Sequence, residues 1–218
     1  MIELYFSPGA CSFVPHVALE IVRATTGEAF ELKLVKFHKG EQRAPEYLAL
    51  NPDGLVPVLM VDGRPLTQIV AICDYLDRRY PQVGFLPTDT WARAQALSQL
   101  AWMNNTVHPC FTHVFMPEKF ADGEAARAEV RRVATDAFGK YLERIQEWAR
   151  SANPFWFGDR PSFHDAYSVT LLRWGGLAGI DPESLPVLKA LVERVAAAAP
   201  VAAAIERERI RVDTYRKA

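Results

Sequence analysis

Strand-like and helix-like patterns alternate through residues 1 to 80, and after residue 90 only helical patterns remain; this order constrains the fold more than any other feature. "IELYF" (2 to 6) is a short apolar run stopped by Pro8 and Gly9. "FVPHVALEIVRAT" then spaces Val14, Val17, Ala18, Ile21 and Val22 as one face of a helix does. In "FELKLVKF" (30 to 37), Phe30, Leu32 and Leu34 alternate with Glu31 and Lys33, which is the period of a strand. A strand, helix, strand unit this short requires a right-handed crossover and parallel pairing.

"KGEQRAPEYLALNPDG" (39 to 54) reads as a polar loop with a short helix around "PEYLAL". In "VPVLMVDGRPLT" (56 to 67), an apolar run meets Asp62-Gly63, the signature of a tight antiparallel hairpin. "QIVAICDYLDRRYP" puts Ile69, Ile72, Cys73 and Leu76 on one helical face and closes on Arg78 and Arg79 before Pro81. Beyond the linker "QVGFLPTDT", the patterning predicts helices over 90–120, 123–150, 163–179 and 184–198, and a further one opening at Pro200. The expected division is an α/β domain over 1–80, ordered βαβαββα, and an all-α domain over 90–218.

Half of the residues are hydrophobic, enough for a substantial core, and 25 Lys and Arg against 26 Asp and Glu give a formal net charge of -1. That balance argues against nucleic acid or an anionic membrane surface as partner. The three cysteines, Cys11, Cys73 and Cys110, are an odd and scattered set, so neither a disulfide framework nor a metal site is expected. With no basic leader and no run of about 20 apolar residues, the expectation is a cytoplasmic protein.

The stretch "SPGACS" (7 to 12) delivers Cys11 and Ser12 to the start of the first helix, where free N–H groups and the helix dipole favour an anion. A thiolate fits there; so does a small residue filling the space behind a tight turn. His108, in "NNTVHPCF", either faces a cleft or satisfies carbonyls released by Pro109. Trp102, Phe111, Phe115 and Trp174 either wall an apolar pocket or pack as core. "SFHD" (162 to 165) is an N-capping sequence whose role is stability.

The βαβαββα order is that of a thioredoxin-like domain. Together with "YFSPGACSFVPHVAL", "YLALNPDGLVPVL", "LTQIVAICDYL", "TVHPCFTHVF" and "FGDRPSFHDAYSVTLLRW", it resembles the cytosolic glutathione transferases, most closely the bacterial beta class. The resemblance implies a homodimer that binds glutathione as co-substrate, without a metal, and joins its thiolate to an apolar electrophile. It implies Cys11 and Ser12 as catalytic residues, with glutathione-dependent disulfide exchange through Cys11 as a second reaction. Residue 14 is Val, so such exchange would be monothiol. The resemblance further implies a cis Val56-Pro57 that pairs with the cysteinyl backbone of glutathione, and Gln68 and Ile69 at its γ-glutamyl end. His108, Phe111, Phe115 and Trp174 are placed at the electrophile. Gln68 and Ile69 stand where the family has an acidic residue and a serine, and Phe6 stands where the class has a tyrosine. Tyr5, one residue earlier, points to the other face of its strand and cannot substitute. A non-catalytic binding protein with a degraded glutathione site is therefore the alternative.

Overall fold

The computed structural model describes residues 1–216. The N-terminal half runs β1 (Ile2–Phe6), α1 (Phe13–Thr26), β2 (Phe30–Leu34), α2 (Pro45–Leu48), β3 (Val58–Val61), β4 (Arg64–Thr67) and α3 (Ile69–Arg79). Its four-stranded sheet has the order β2-β1-β3-β4, with β1 parallel to β2 and antiparallel to β3, and β3 antiparallel to β4. The parallel pair and the hairpin expected from the sequence are both present.

The pleat of β1 sends its side chains to two different cores. Ile2, Leu4 and Phe6 enter the main core under α1 and α3, whereas Tyr5 packs with Tyr47 of α2, Val35 and Val58 on the opposite face. Tyr5 therefore lies on the face away from Phe6, as strand alternation requires. Two boundaries differ from the sequence pattern. β2 ends at Leu34 because Phe37–Lys39 tighten into a 3-10 turn closed by Gly40 at φ +72°. β3 begins at Val58 because Pro57, joined to Val56 by a cis bond, has no N–H for the ladder.

The C-terminal half is helical: α4 (Thr90–Trp102), α5 (His108–Phe115), α6 (Glu124–Ala149), α7 (Phe163–Leu177), α8 (Pro186–Ala197) and α9 (Ala199–Glu208). The single helix expected over 90–120 is instead α4 and α5 joined by a π-helical turn, Met103–Val107. Pro109 cannot donate a backbone bond, and the His108 N–H reaches back five residues to the Met103 carbonyl, so the ladder loosens there. α7 opens with the expected capping box, in which Ser162 and Asp165 satisfy each other's backbone N–H groups. Burial lifts the Asp165 carboxyl to about 6 against the pull of the Ser162 and Trp156 donors. α7 is the axis of the molecule, buried on nearly every side, and α1 packs against both α7 and α9. That packing seats the turn after β1 directly on the C-terminal helices.

Candidate active site

The turn between β1 and α1 is held from two directions. Gly9 adopts φ +67°, a conformation side-chain-bearing residues avoid, and its N–H donates to Glu208 Oε2 at 2.8 Å. Its carbonyl accepts from Trp174 Nε1 at 3.0 Å and from the Arg173 guanidinium at 3.2 Å. Glu208 also bonds His16 Nδ1 at 2.8 Å within a fully buried group that includes Glu20. Burial works against a charge on His16, but the Glu20 and Glu208 carboxylates prevail and raise its pKa. α7 and the end of α9 thus fix where the next residues, Cys11 and Ser12, can stand.

Cys11 opens on a cleft of about 290 Å³ between the two halves, and its thiol donates to the Val56 carbonyl at 3.5 Å. The thiolate expected from the helix N-terminus is not favoured here. Cys11 is only 7 % exposed, and burial, helped by the Glu208 charge, pushes its thiol up to about 12 against the pull of the Cys11 and Ser12 amides. Desolvation outweighs the dipole, so in this structure Cys11 is a neutral S–H donor. Ser12 is fully buried, and its hydroxyl accepts from the Ser7 N–H and donates to the Ser7 carbonyl, each at 3.2 Å. It ties the turn together and is not among the residues lining the cleft.

Val56, Pro57, Gln68 and Ile69 all line this cleft, with Asn51, Asp53, Leu55 and Thr67 beside them. Gln68 is held at φ +70° and ψ +117° immediately before the first turn of α3. A non-glycine residue in that region marks a position fixed by its surroundings. The Ile69 side chain is 3 % exposed and belongs to the main core, which leaves the N-terminal turn of α3 as the polar feature at this end.

The opposite wall comes from the π turn and α5: Asn104, His108, Pro109, Thr112 and His113, with Phe120 stacked on His113 at 3.7 Å between centroids. His108 is the one expected electrophile residue that reaches the cleft. Phe111 and Trp174 stack on each other at 4.6 Å, 6 % and 5 % exposed, because the apolar stripe of α5 turns inward against α7. Phe115 is 61 % exposed, stacks outside Phe111 and does not line the cleft. Trp102 packs edge-on to Tyr141 and Trp148 with Arg144 over its ring, on the α6 side. The wall is therefore more polar than the aromatic content of α5 suggested. Burial lowers His108 to about 4, so its ring is neutral near pH 7.

Two family models match the chain: the glutathione S-transferase N-terminal domain over residues 2–78 and the C-terminal domain over residues 103–199. Glutathione S-transferase GST-4.5 of Xanthomonas campestris pv. campestris is 34% identical over 209 residues, 94% of this chain and 98% of that protein. The chain belongs to the glutathione S-transferase family. A maleylacetoacetate isomerase of Rhizobium meliloti is also 34% identical, over 78% of this chain and 81% of its own length. A glutathione transferase homologue from Sulfitobacter, solved with bound glutathione, superimposes with a TM-score of 0.87 at 27% identity, covering 96% of this chain and 99% of that one. This glutathione S-transferase family member has the thioredoxin-like domain and helical domain expected from its sequence. Among the described residues no helix is long and apolar enough to cross a membrane.

Sequence reasoning did not find Glu208, Arg173 and His16 beneath the turn, or Asn51, Asp53, Asn104, Thr112, His113 and Phe120 around the cleft. Gly9 was the available signal for the first group, since a tight turn at positive φ needs partners for its peptide groups. Asn104, His108 and Thr112 recur at four-residue spacing, and that polar stripe on an otherwise apolar helix was the signal for the second.

Proposed function

We propose that the protein is a cytoplasmic, homodimeric glutathione S-transferase that binds glutathione in the Cys11 cleft and joins its sulfur to an electrophile held against the π turn and α5. The supporting observation is the convergence of the Cys11 thiol, the Val56 carbonyl and the N-terminal turn of α3 on one cleft that His108 closes from the other side. Val56 offers its backbone to the cysteinyl part of glutathione as a strand edge does. Gln68 and the α3 N-terminus suit the γ-glutamyl carboxylate.

Cys11 then acts as a donor. Because burial keeps its proton in place, the S–H can turn from the Val56 carbonyl to the sulfur of glutathione once the ligand takes over that carbonyl. The backbone amides of Cys11 and Ser12, which already favour negative charge at this spot, add to it. Lowering a glutathione thiol from about 8.5 by ~2 units needs roughly 2.7 kcal/mol of preference for the thiolate, within reach of a few such donors. Disulfide exchange through Cys11 itself is the lesser activity in this reading, since it needs the thiolate that burial disfavours.

The likeness to an isomerase favours a second reading of the same site, in which the thiolate adds reversibly to an activated double bond and is then expelled. Titration calorimetry with glutathione tests the site first. No heat at millimolar ligand would point to a binding protein with a degraded site. Glutathione consumed one for one with an electrophile supports transfer, whereas turnover without loss of glutathione supports isomerisation. Sedimentation at micromolar concentration should give a species near twice 24.5 kDa; a monomer would remove the homodimer from the proposal.

A further inference from the structure

Both peptide groups of Gly9 are tied to the C-terminal end of the chain, on either side of one sharp turn. The N–H goes to Glu208, the last residue of α9. The next residue, Arg209, takes the left-handed conformation at φ +53°, which a side-chain-bearing residue adopts where its surroundings hold it. From there residues 210–216 leave the helix and cross α7, with Ile210 and Val212 packed on the main core. Arg173 of α7 joins this segment to the turn between β1 and α1. Its Nε donates to the Arg211 carbonyl at 2.8 Å, and its Nη1 donates to the Gly9 carbonyl at 3.2 Å. The Arg173 carbonyl in turn accepts from the Thr214 hydroxyl. Gly176 shows how closely the segment is seated. A glycine within a helix is unfavourable by itself, and a Cβ on this one would stand 2.5 Å from Thr214 Oγ1 and 2.7 Å from the Tyr215 backbone nitrogen. No side-chain rotation relieves the second contact, so the space belongs to the backbone of the segment.

We infer that residues 209–215 form a strap that positions the turn carrying Cys11 through Arg173, so that Cys11 stays buried only while the strap is docked on α7. A guanidinium suits the link, because its planar fork of donors serves two carbonyls in fixed directions. The bond from Nε to the strap sets the plane of the group and leaves Nη1 aimed at Gly9. With the strap lifted, Arg173 is a long side chain free to turn into water, and the Gly9 carbonyl keeps the Trp174 bond alone of the two. The peptide between Gly9 and Ala10 then gains freedom one residue before Cys11, and the thiol, which reaches the Val56 carbonyl at 3.5 Å, moves with it. Arg173 is thus a positioning residue, and the strap sets its orientation. The strap is a property of the free protein, while its effect on turnover rests on glutathione binding beside Cys11.

Iodoacetamide labelling of the full-length protein in mildly alkaline buffer, followed cysteine by cysteine by peptide mass spectrometry, tests the strap without any substrate. Cys73 is fully buried in α3 and serves as the internal standard, since it reacts when the whole domain opens. Gly176→Ala lifts the strap and Arg173→Gln cuts its link to Gly9. Each should speed labelling of Cys11 relative to Cys73 about tenfold, the change that loss of a hydrogen bond to a charged group produces. Thr214→Val, which keeps the shape and loses one hydroxyl bond, should do so about threefold. Gly139→Ala in α6, where an added Cβ meets Ile180 Cδ1 at an ordinary 3.8 Å, should leave the ratio unchanged. With glutathione and an electrophile, kcat/KM should fall in the same order across these variants. Parallel acceleration of Cys11 and Cys73 in both Gly176→Ala and Arg173→Gln would mean plain destabilisation and would overturn the inference, as would an unchanged Cys11 rate in both. Labelling as expected with an unmoved kcat/KM would instead overturn the proposed place of Cys11 in the reaction and leave the strap standing.

Discussion

Gly9→Ala probes the clamp under the turn between β1 and α1 most directly. Gly9 sits at φ +67°, and an added Cβ would lie 2.7 to 2.8 Å from the Arg173 guanidinium atoms. Holding alanine in the left-handed region costs about 1–2 kcal/mol. The clash falls on the far end of a long side chain, so Arg173 can move, but only by giving up its bond to the Gly9 carbonyl and loosening the 2.8 Å bond from its Nε to the Arg211 carbonyl. A hydrogen bond to a charged group contributes about 1.5–3 kcal/mol. With Trp174 Nε1 still serving the carbonyl, the low end of that range applies, and the total is about 2–4 kcal/mol. The control is Gly27→Ala, because Gly27 has φ +78° and open space around it, so only the backbone penalty of about 1–2 kcal/mol remains. Urea unfolding of Gly9→Ala, Gly27→Ala, Arg173→Ala and the Gly9→Ala/Arg173→Ala pair gives a double-mutant cycle that isolates the clash. Gly9→Ala should be the costlier glycine substitution, and the pair should cost less than the sum of its parts. Equal costs at Gly9 and Gly27 with an additive pair would refute the claim that α7 clamps this turn.

With Cys11 held protonated up to about 12 while an unfolded thiol ionises near 8.5, its contribution to stability is complete below pH ~8.5 and is lost as the pH rises through that window. Denaturant midpoints should therefore fall less above pH 9 in Cys11→Ala than in the wild type, and alkylation of Cys11 in the free protein should be slow at pH 7. At the acid end, His108 and His164, both lowered to about 4 by burial, bind protons in the unfolded chain first, so stability falls as the pH drops from ~6.5 toward 4. His16, raised by Glu20 and Glu208, works in the opposite direction, contributing below ~6.5 and losing that contribution as the pH rises through its folded value; replacing His164 by Asn should flatten the acid limb of a stability-against-pH curve. Ile69→Ser should tighten glutathione binding about tenfold by adding a hydroxyl at the α3 N-terminus, and should cost about 2 kcal/mol of stability, because the side chain it removes is core. Calorimetry and urea unfolding on the same sample read the two effects, and unchanged affinity would place the carboxylate of the ligand elsewhere.

How legible the fold was follows from the range of the forces that make it. The strand, turn, helix, strand order of residues 2 to 34, the Asp62-Gly63 hairpin and the Ser162 to Asp165 cap rest on neighbours in the chain, and they stand as their local patterns require. The opposite faces of Tyr5 and Phe6 follow from the pleat alone. Cys11 and His108 were legible as candidates from the turn and the helix that carry them, whereas Val56 and Gln68 came only from the resemblance to the glutathione transferases. What each does there was not. Periodicity tells that α5 has an apolar stripe, but only packing against α7 turned Phe111 inward onto Trp174, left Phe115 outside and gave the cleft Asn104, Thr112 and His113. The same holds for the cysteine. Residues 7 to 13 place Cys11 at a helix start, where local electrostatics favour a thiolate, and the sequence determines that placement by itself. Its protonation was decided by burial beneath Val56 and by Glu208, nearly two hundred residues away in the chain and held beside the turn through Gly9 and His16. Desolvation depends on everything that surrounds a group at once, and only the tertiary structure assembles those surroundings.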